Sequence, residues 1–292
     1  MICSLVEHTL CGDNLVDLAD KLERLYQVFP WPEDLSLVRT KQRLDEAYKI
    51  FQDLLEHSWF KELLKEKDIV RVLDICGGVG IGGIALAKAL MEKGLRVELV
   101  VNDLRGSALA KAREYAKQIL GIEIATLRED ALRLYEHDIR VDIALMYGIS
   151  APHFNPYQMV QLAAGVAWIL KPNGLFLVDE FDRVYGLLCR VGCKDITIEH
   201  AGEDRILLTL NGGYNSRTGM FKRVFLDIPA MTRVEMEYRM WDIAGVAAIL
   251  WMFFEDVDFK PTKTQLHGIL IARKPRGINP RNYVNQPTIA KT

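Results

Sequence analysis

Between residues 69 and 182, short runs of Val, Ile and Leu alternate with longer amphipathic stretches, a pattern few architectures can absorb. The runs are "IVRVLDI", "RVELVVND", "IEIATLRED", "VDIALMYG" and "GLFLVDEF". The spacing between them predicts helices over 81–93, 106–120 and 156–170. Strands that are apolar on both faces must be covered on both faces, so the expected fold is α/β, with a parallel sheet between two helical layers. Upstream, Leu15, Leu18, Leu22 and Leu25 recur at helical spacing, "FPWPED" interrupts, and Leu44, Ala47, Tyr48, Phe51, Leu54 and Leu55 resume the period. Residues 1–66 therefore read as an N-terminal helical cap or lid, with Tyr26 and Trp31 as candidate aromatic walls.

After Asp182 the alternation stops. "RILLTLNG" and "MFKRVFLDI" flank "GYNSRTG", which predicts a β-hairpin inserted within 183–235. A helix over about 238–254 and two closing strands, "VDFKP" and "LHGILIARKP", are expected to return the chain to the core, so that 67–182 and 236–275 form one unit. The polar segment 276–292 reads as an arm or a loose end. The longest apolar run, "IAGVAAILWMFF", has twelve residues, short of the roughly 20 that span a bilayer, and reads as a core helix. Half of the 292 residues are hydrophobic and the net charge is −2. A full core is affordable, and no basic footprint favours a nucleic acid partner. Five scattered cysteines and a start without a basic or long apolar segment imply a reducing cytoplasm; Cys189 and Cys193, four apart, fit neither a redox nor a zinc motif, and no metal is expected.

The chemistry concentrates in "VLDICGGVGIGG", residues 72–83. Gly78, Gly80 and Gly83 satisfy the spacing of a dinucleotide loop. Against that version, "CGG" intervenes after the strand, and Asp74 stands where it would repel a pyrophosphate. An acid there suits a cationic or zwitterionic ligand. Asp103, at the end of the second strand, can accept two ribose hydroxyls of either cofactor, and Asp130 in "REDA" can meet an adenine amino group.

"VLDICGGVG", "VVNDLRGSALAKAREYA", "REDALRL", "VDIALMYGISAPHF" and "ILKPNGLFLVDEFD" resemble, in order and spacing, the successive motifs of class I S-adenosylmethionine-dependent methyltransferases over about 67–182. "FFEDVDFKP" and "LHGILIARKP" resemble that family's last two strands. The resemblance implies a Rossmann-like three-layer sandwich on a mostly parallel seven-stranded sheet, with S-adenosyl-L-methionine as cofactor. It puts Asp74, Gly77, Gly78 and Gly80 around the methionine moiety, with Cys76 in the same turn at a position where many members have glycine. It puts Asp103, with Leu104, on the ribose, Asp130 and Ala131 by the adenine, and Tyr147 and Gly148 beside the sulfonium.

Base-methylating members of the family commonly carry an Asn/Asp-Pro-Pro-aromatic motif after the fourth strand. Here "YGISAPHF" stands there, resembling small-molecule enzymes, so a small-molecule O or N acceptor is expected. An acceptor that must lose a proton needs a base, for which His153, Glu180 and Asp182 are candidates; His267, within a closing strand, reads as structural. Alternatives are an RNA or protein methyltransferase docking through Arg273, Lys274, Arg276, Arg281 and Lys291, a nicotinamide-dependent oxidoreductase, and a cofactor-binding module without catalysis; a homodimer would suit the hairpin as a contact.

Overall fold

The computed structural model describes residues 13–29, 31–192, 194–203 and 205–291. Cys3, Cys11 and Cys193 lie outside them. Among the described residues, a seven-stranded sheet has the order β10-β11-β5-β4-β1-β2-β3. Its strands are β1 (Ile69–Asp74), β2 (Arg96–Asn102), β3 (Ala125–Leu127), β4 (Val141–Met146), β5 (Leu170–Phe181), β10 (Phe254–Thr264) and β11 (His267–Pro275). β11 pairs antiparallel with β5 and β10, and the remaining pairings are parallel. The chain order reverses between β4 and β1, so the carboxyl ends of those two strands flank the crevice in which open α/β sheets bind ligands.

The period-two pattern of the strands divides their side chains between two layers. Val72, Val101, Leu145, Leu177 and Ile271 face α2 (Val38–Leu54), α4 (Ile81–Glu92) and α5 (Gly106–Leu120). Leu73, Val100, Ala144, Phe176 and Leu270 face α6 (Pro156–Ile169) and α7 (Ile243–Phe253). The segment read as a cap is not uniform. α2 and α3 (Ser58–Leu64) bury Phe51, Leu54 and Phe60 in the same layer as α4. α1 (Asp13–Val28) instead lays Leu25 and Val28 against Leu207, Val234 and Met236 of a second sheet.

That second sheet corrects the extent of the expected insertion. The hairpin is present as β7 (Ile206–Asn215) and β8 (Met220–Asp227), flanked by β6 (Ile196–Ala201) and β9 (Thr232–Arg239) in one antiparallel sheet of order β6-β7-β8-β9. The expected helix over 238–254 is shorter for the same reason: "TRVEMEYR" alternates and completes β9, and Asp242 then caps α7 by accepting a hydrogen bond from the Gly245 amide at 2.6 Å. α7 buries Val246, Leu250 and Phe253 but leaves Trp251 62% exposed, so it covers the sheet with one face only. No helix among the described residues is long and apolar enough to cross a membrane. The arm after 275 is placed: Tyr283 packs edge-on against Phe253 at 5.3 Å.

Two contacts fix the turn that carries His153. The Trp241 indole donates to the Ala151 and Phe154 carbonyls at 3.1 and 3.3 Å, at either end of the 3-10 turn Ala151–His153. Asn155 then starts α6 through a capping box with Gln158, its side chain accepting from the Tyr157 and Gln158 amides. Loss of such a cap costs about 1 kcal/mol. Asn155→Ala is therefore expected to lower the unfolding free energy by about that amount, read from urea denaturation; an unchanged midpoint would show that the capping box contributes nothing.

Candidate active site

β1 ends in Asp74, and the chain turns through Cys76, Gly78 and Gly80, all at positive φ (52°, 57° and 79°), before α4 begins. Two carboxylates hold this turn from either side. The Gly83 amide donates to Asp74 Oδ2 at 2.7 Å, and the Gly78 amide donates to Asp103 Oδ2 at 2.8 Å. A Cβ on Gly77 would lie 2.7 Å from the Asp74 carboxyl carbon, so only glycine lets the loop close over the acid. Cys76 follows the left-handed path that glycine takes more easily, and its thiol pKa is pushed up by burial and by the charges of Asp103, Asp130 and Asp74.

Asp74 is fully buried, and its Oδ1 has no hydrogen-bond partner. Burial, with help from the Asp103 charge, pushes its pKa up to about 7 against the opposing Gly83 hydrogen bond and Arg43. Asp103 carries more contacts. Its Oδ1 accepts from the Arg105 amide at 2.8 Å, and the Arg105 guanidinium lies 3.4 Å away. Arg105 in turn grips Glu33 with two hydrogen bonds, 3.0 and 2.7 Å, and stacks 3.6 Å above the Tyr26 ring. Tyr26, held among buried groups, has its pKa pushed up to about 12.

Beside these groups lies a cavity of about 830 Å³. Cys76, Asp103, Leu104, Asp130 and Ala131 line it, together with Tyr26 and His153. Asp130 caps the 3-10 helix Ala131–Glu136 by accepting from the Leu132 amide at 2.9 Å, and burial raises its pKa. Asp74, Gly77, Gly78 and Gly80 are not among the lining residues, nor are Tyr147 and Gly148. Tyr147 packs on Phe51 at 5.4 Å between ring centres, and a Cβ on Gly82 would meet its side chain at 2.5 Å. Gly148 and Ile149 are both at positive φ, and Arg43 lies against Gly148. Trp31 stacks with Arg43 at 5.3 Å and is not part of the wall.

The three base candidates separate. His153 is exposed to the cavity yet enclosed by its walls, and that enclosure, with the charges of Arg183 and Arg105, pushes its pKa down to about 4. It is a neutral imidazole at physiological pH. Glu180 is buried outside the lining; its Oε1 accepts from the Phe181 amide and from Arg183, and its pKa is raised by burial. Asp182 accepts from the Tyr185 amide at the start of the π-helical segment Val184–Val191, also outside the lining. Sequence reasoning missed Glu33, Arg43 and Arg105. Arg105 had the signal of standing two residues after Asp103, whereas Glu33 and Arg43 reach the site only through the packing of the N-terminal segment. No group of three or more His, Cys, Asp or Glu among the described residues could hold a metal ion.

By sequence, residues 72–174 match the family described as a methyltransferase domain. The chain carries a class I S-adenosylmethionine-dependent methyltransferase domain. No curated protein is similar enough in sequence to match. Among solved structures the methyltransferase is similar to a protein of Pyrococcus horikoshii, with 22% identity, 86% of this chain and 98% of the other covered, and a TM-score of 0.56. It is similar to an S-adenosylmethionine-dependent methyltransferase of Clostridium acetobutylicum, with 15% identity, 79% and 92% covered, and a TM-score of 0.54. It is similar to the CcbJ methyltransferase of Streptomyces caelestis, with 10% identity, 79% and 90% covered, and a TM-score of 0.57. At such identities the likeness establishes the fold.

The residues of the methyltransferase fit its cofactor. S-adenosylmethionine carries a sulfonium and an ammonium, and the turn gathers Asp74, Asp103 and Asp130 with an unpartnered buried carboxylate oxygen on Asp74. Only the ionised form of Asp74 holds an ammonium. With its pKa near 7 in the free protein, affinity for S-adenosylhomocysteine is expected to rise about tenfold from pH 6 to 8. The same proton works oppositely on the free fold: a raised carboxyl pKa gives stability that is full below the unfolded value and lost as pH rises through 7. Calorimetric titration of wild type and Asp74→Asn checks this; the variant should lose the slope, and a slope surviving in it would reject Asp74 as the titrating group.

Proposed function

We propose that this methyltransferase transfers its methyl group by in-line displacement to the O or N nucleophile of a small-molecule acceptor. The observation that carries the reading is the shape of the cavity beyond the adenosyl-side residues. α1 contributes Leu18, Leu22 and Arg24, the tip of the β7–β8 hairpin contributes Asn215 and Thr218, and β9 contributes Arg233, Glu235 and Glu237. Ala290 of the C-terminal arm adds to the wall. A volume near 830 Å³ lies within the roughly 300–1,000 Å³ of small-molecule sites. Its far wall is polar and of mixed charge, which suits a polar acceptor.

Three of the five basic residues that would support an RNA-docking reading are engaged elsewhere. Arg273 stacks on Trp59 at 4.3 Å and pairs with Glu62 and Asp256, Lys274 pairs with Glu255, and Arg276 donates to the Phe254 carbonyl. That favours the small acceptor over a polyanion.

When bound, S-adenosylmethionine supplies a methyl group on a positively charged sulfur that is already an activated leaving group. The chain's part is to hold the reacting atoms in line, worth on the order of 7 to 11 kcal/mol in favourable cases. With the cofactor bound, Asp74 and Asp103 would hold its ends, Tyr147 and Gly148 would lie on the sulfonium side, and Tyr26, Glu33 and Arg105 would exclude water from the ribose side. His153, neutral and open to the cavity, accepts the acceptor's proton. Enclosure is the larger reason that His153 stays neutral, and the Arg183 charge, held in place by Glu180, adds to it.

Incubation with methyl-labelled cofactor and three acceptor classes tests the reading: small polar amines and alcohols, total RNA, and mixed protein. Label on a small acceptor alone is expected, and label on RNA or protein alone would overturn it. His153→Ala should lower turnover about a hundredfold with cofactor affinity unchanged; undiminished turnover would remove the base from the mechanism. Asp103→Ala should weaken S-adenosylhomocysteine binding at least about tenfold through lost charge-assisted hydrogen bonds, and unchanged calorimetric affinity would sink the ribose assignment.

A further inference from the structure

β11 brings His267 to the carboxyl end of β5, where it meets a buried acid that the mechanism above does not use. His267 Nε2 lies 2.9 Å from Asp179 Oδ1, and Asp179 Oδ2 accepts the Gly148 amide at 2.9 Å. Asp179 is only 3% exposed. One carboxylate therefore joins an imidazole at the sheet's solvent-facing margin to the turn after β4. That turn holds two consecutive left-handed residues, Gly148 (φ 94°) and Ile149 (φ 64°). A left-handed β-branched residue is costly and persists only where surrounding contacts over-determine it. β4 is the neighbour of β1 across the point where strand order reverses, so this turn faces the glycine turn across the ligand crevice. Tyr147, one residue earlier, packs directly on Gly82 at the start of α4.

The hydrogen-bond arrangement selects one protonation state of His267. The Thr262 hydroxyl lies 3.1 Å from the His267 carbonyl oxygen and 3.1 Å from His267 Nδ1. A hydroxyl has one proton to give. If it donates to the carbonyl, its oxygen is free to accept from Nδ1–H while Nε2–H points at Asp179. All three contacts are satisfied only when both ring nitrogens carry protons. The β-bulge between Pro261 and Thr264 is what aims Thr262 at the ring. The charged groups facing the imidazole are mixed in sign, with Asp179 and Glu180 on β5 favouring the cation and Lys263 on β10 opposing it, and the Asp179 hydrogen bond outweighs the cost of partial burial. Lys263 is itself paired with Glu46 of α2.

We propose that His267 and Asp179 are a positioning pair, in which the imidazolium fixes the Asp179 carboxylate and the carboxylate fixes the Gly148–Ile149 turn in the shape that receives S-adenosylmethionine. Neither side chain touches the reacting atoms in this account. The inference rests on the cofactor, not on the acceptor proposed above.

The test compares S-adenosylhomocysteine affinity of the wild-type protein with His267→Gln and His267→Ala by calorimetry between pH 6.5 and 9, with thermal melting run alongside. Taking ratios to wild type cancels other titrating groups such as Asp74. At pH 6.5, His267→Ala is expected to bind about fivefold more weakly, with His267→Gln between it and wild type because the amide still donates to Asp179. Both ratios should fall by pH 9 as the wild-type imidazole loses its second proton, the His267→Gln ratio toward one and the His267→Ala ratio to a smaller residual, because the neutral ring still donates to Asp179 through Nε2–H. Ratios that stay flat across pH, or variants that bind like wild type at pH 6.5, would overturn the positioning role. If His267→Ala fails to fold, the His267→Gln series decides by itself. Wild-type protein that binds no S-adenosylhomocysteine at any pH would overturn the cofactor assignment and this inference together, a result distinct from either outcome above.

Discussion

The Asp103 carboxylate is the point on which the site depends. It follows directly on β2, accepts the Gly78 amide with one oxygen and the Arg105 amide with the other, and stands beside the Arg105 guanidinium. The glycine turn, the start of α5 and the N-terminal segment carrying Glu33 and Tyr26 are thereby referred to one buried charge. Burial is the larger influence and raises its pKa, while the Arg105 guanidinium and the Arg105 and Gly78 amides work against it by favouring the charged form. A carboxylate with both oxygens already engaged keeps further lone pairs, and in a cavity wall those are what a ligand's hydroxyls can use.

Around that point the two sheets divide the labour. The parallel sheet supplies rigid strand ends, so Asp74, Asp103 and the turn after β4 are held on elements whose side chains pack on both faces. The antiparallel sheet is attached more lightly, through the α1 stripe of Leu25 and Val28, the indole of Trp241 and the Tyr157 hydroxyl bonded to the Arg217 carbonyl. Its strands and hairpin tip form the wall of the cavity farthest from the glycine turn. A half-exposed sheet there shapes the far wall without disturbing the strand ends.

The parallel strands were legible because burial on both faces leaves an unmistakable apolar run, and α4, α5 and α6 start and stop within a residue or so of the sequence reading. The antiparallel sheet was half legible. The β7–β8 hairpin announces itself by "GYNSRTG", but β6 exposes Ile196 and Ile198 and so shows no buried face, and β9 carries no turn signal of its own, its last two residues falling in the helix expected from 238. The α1 leucines repeat at helical spacing, yet the pattern could not reveal that Leu25 packs on the second sheet while Leu18 and Leu22 turn to the cavity. Asp74, Asp103 and Asp130 were readable as polar residues at or just past strand ends, and His153 as a polar residue in the segment after the fourth strand. Glu33, Arg43 and the His267–Asp179 contact were not, because each depends on segments distant in sequence meeting at one sheet edge.

Where an adenosyl ligand sits decides the roles of these residues, and a crystal structure of the S-adenosylhomocysteine complex measures that directly. The expected result is a ribose with its hydroxyls on Asp103, an adenine beside Asp130 and Ala131, and an amino group against the free oxygen of Asp74. Adenosine density elsewhere in the cavity, with the Asp103 carboxylate touching only protein, would contradict it.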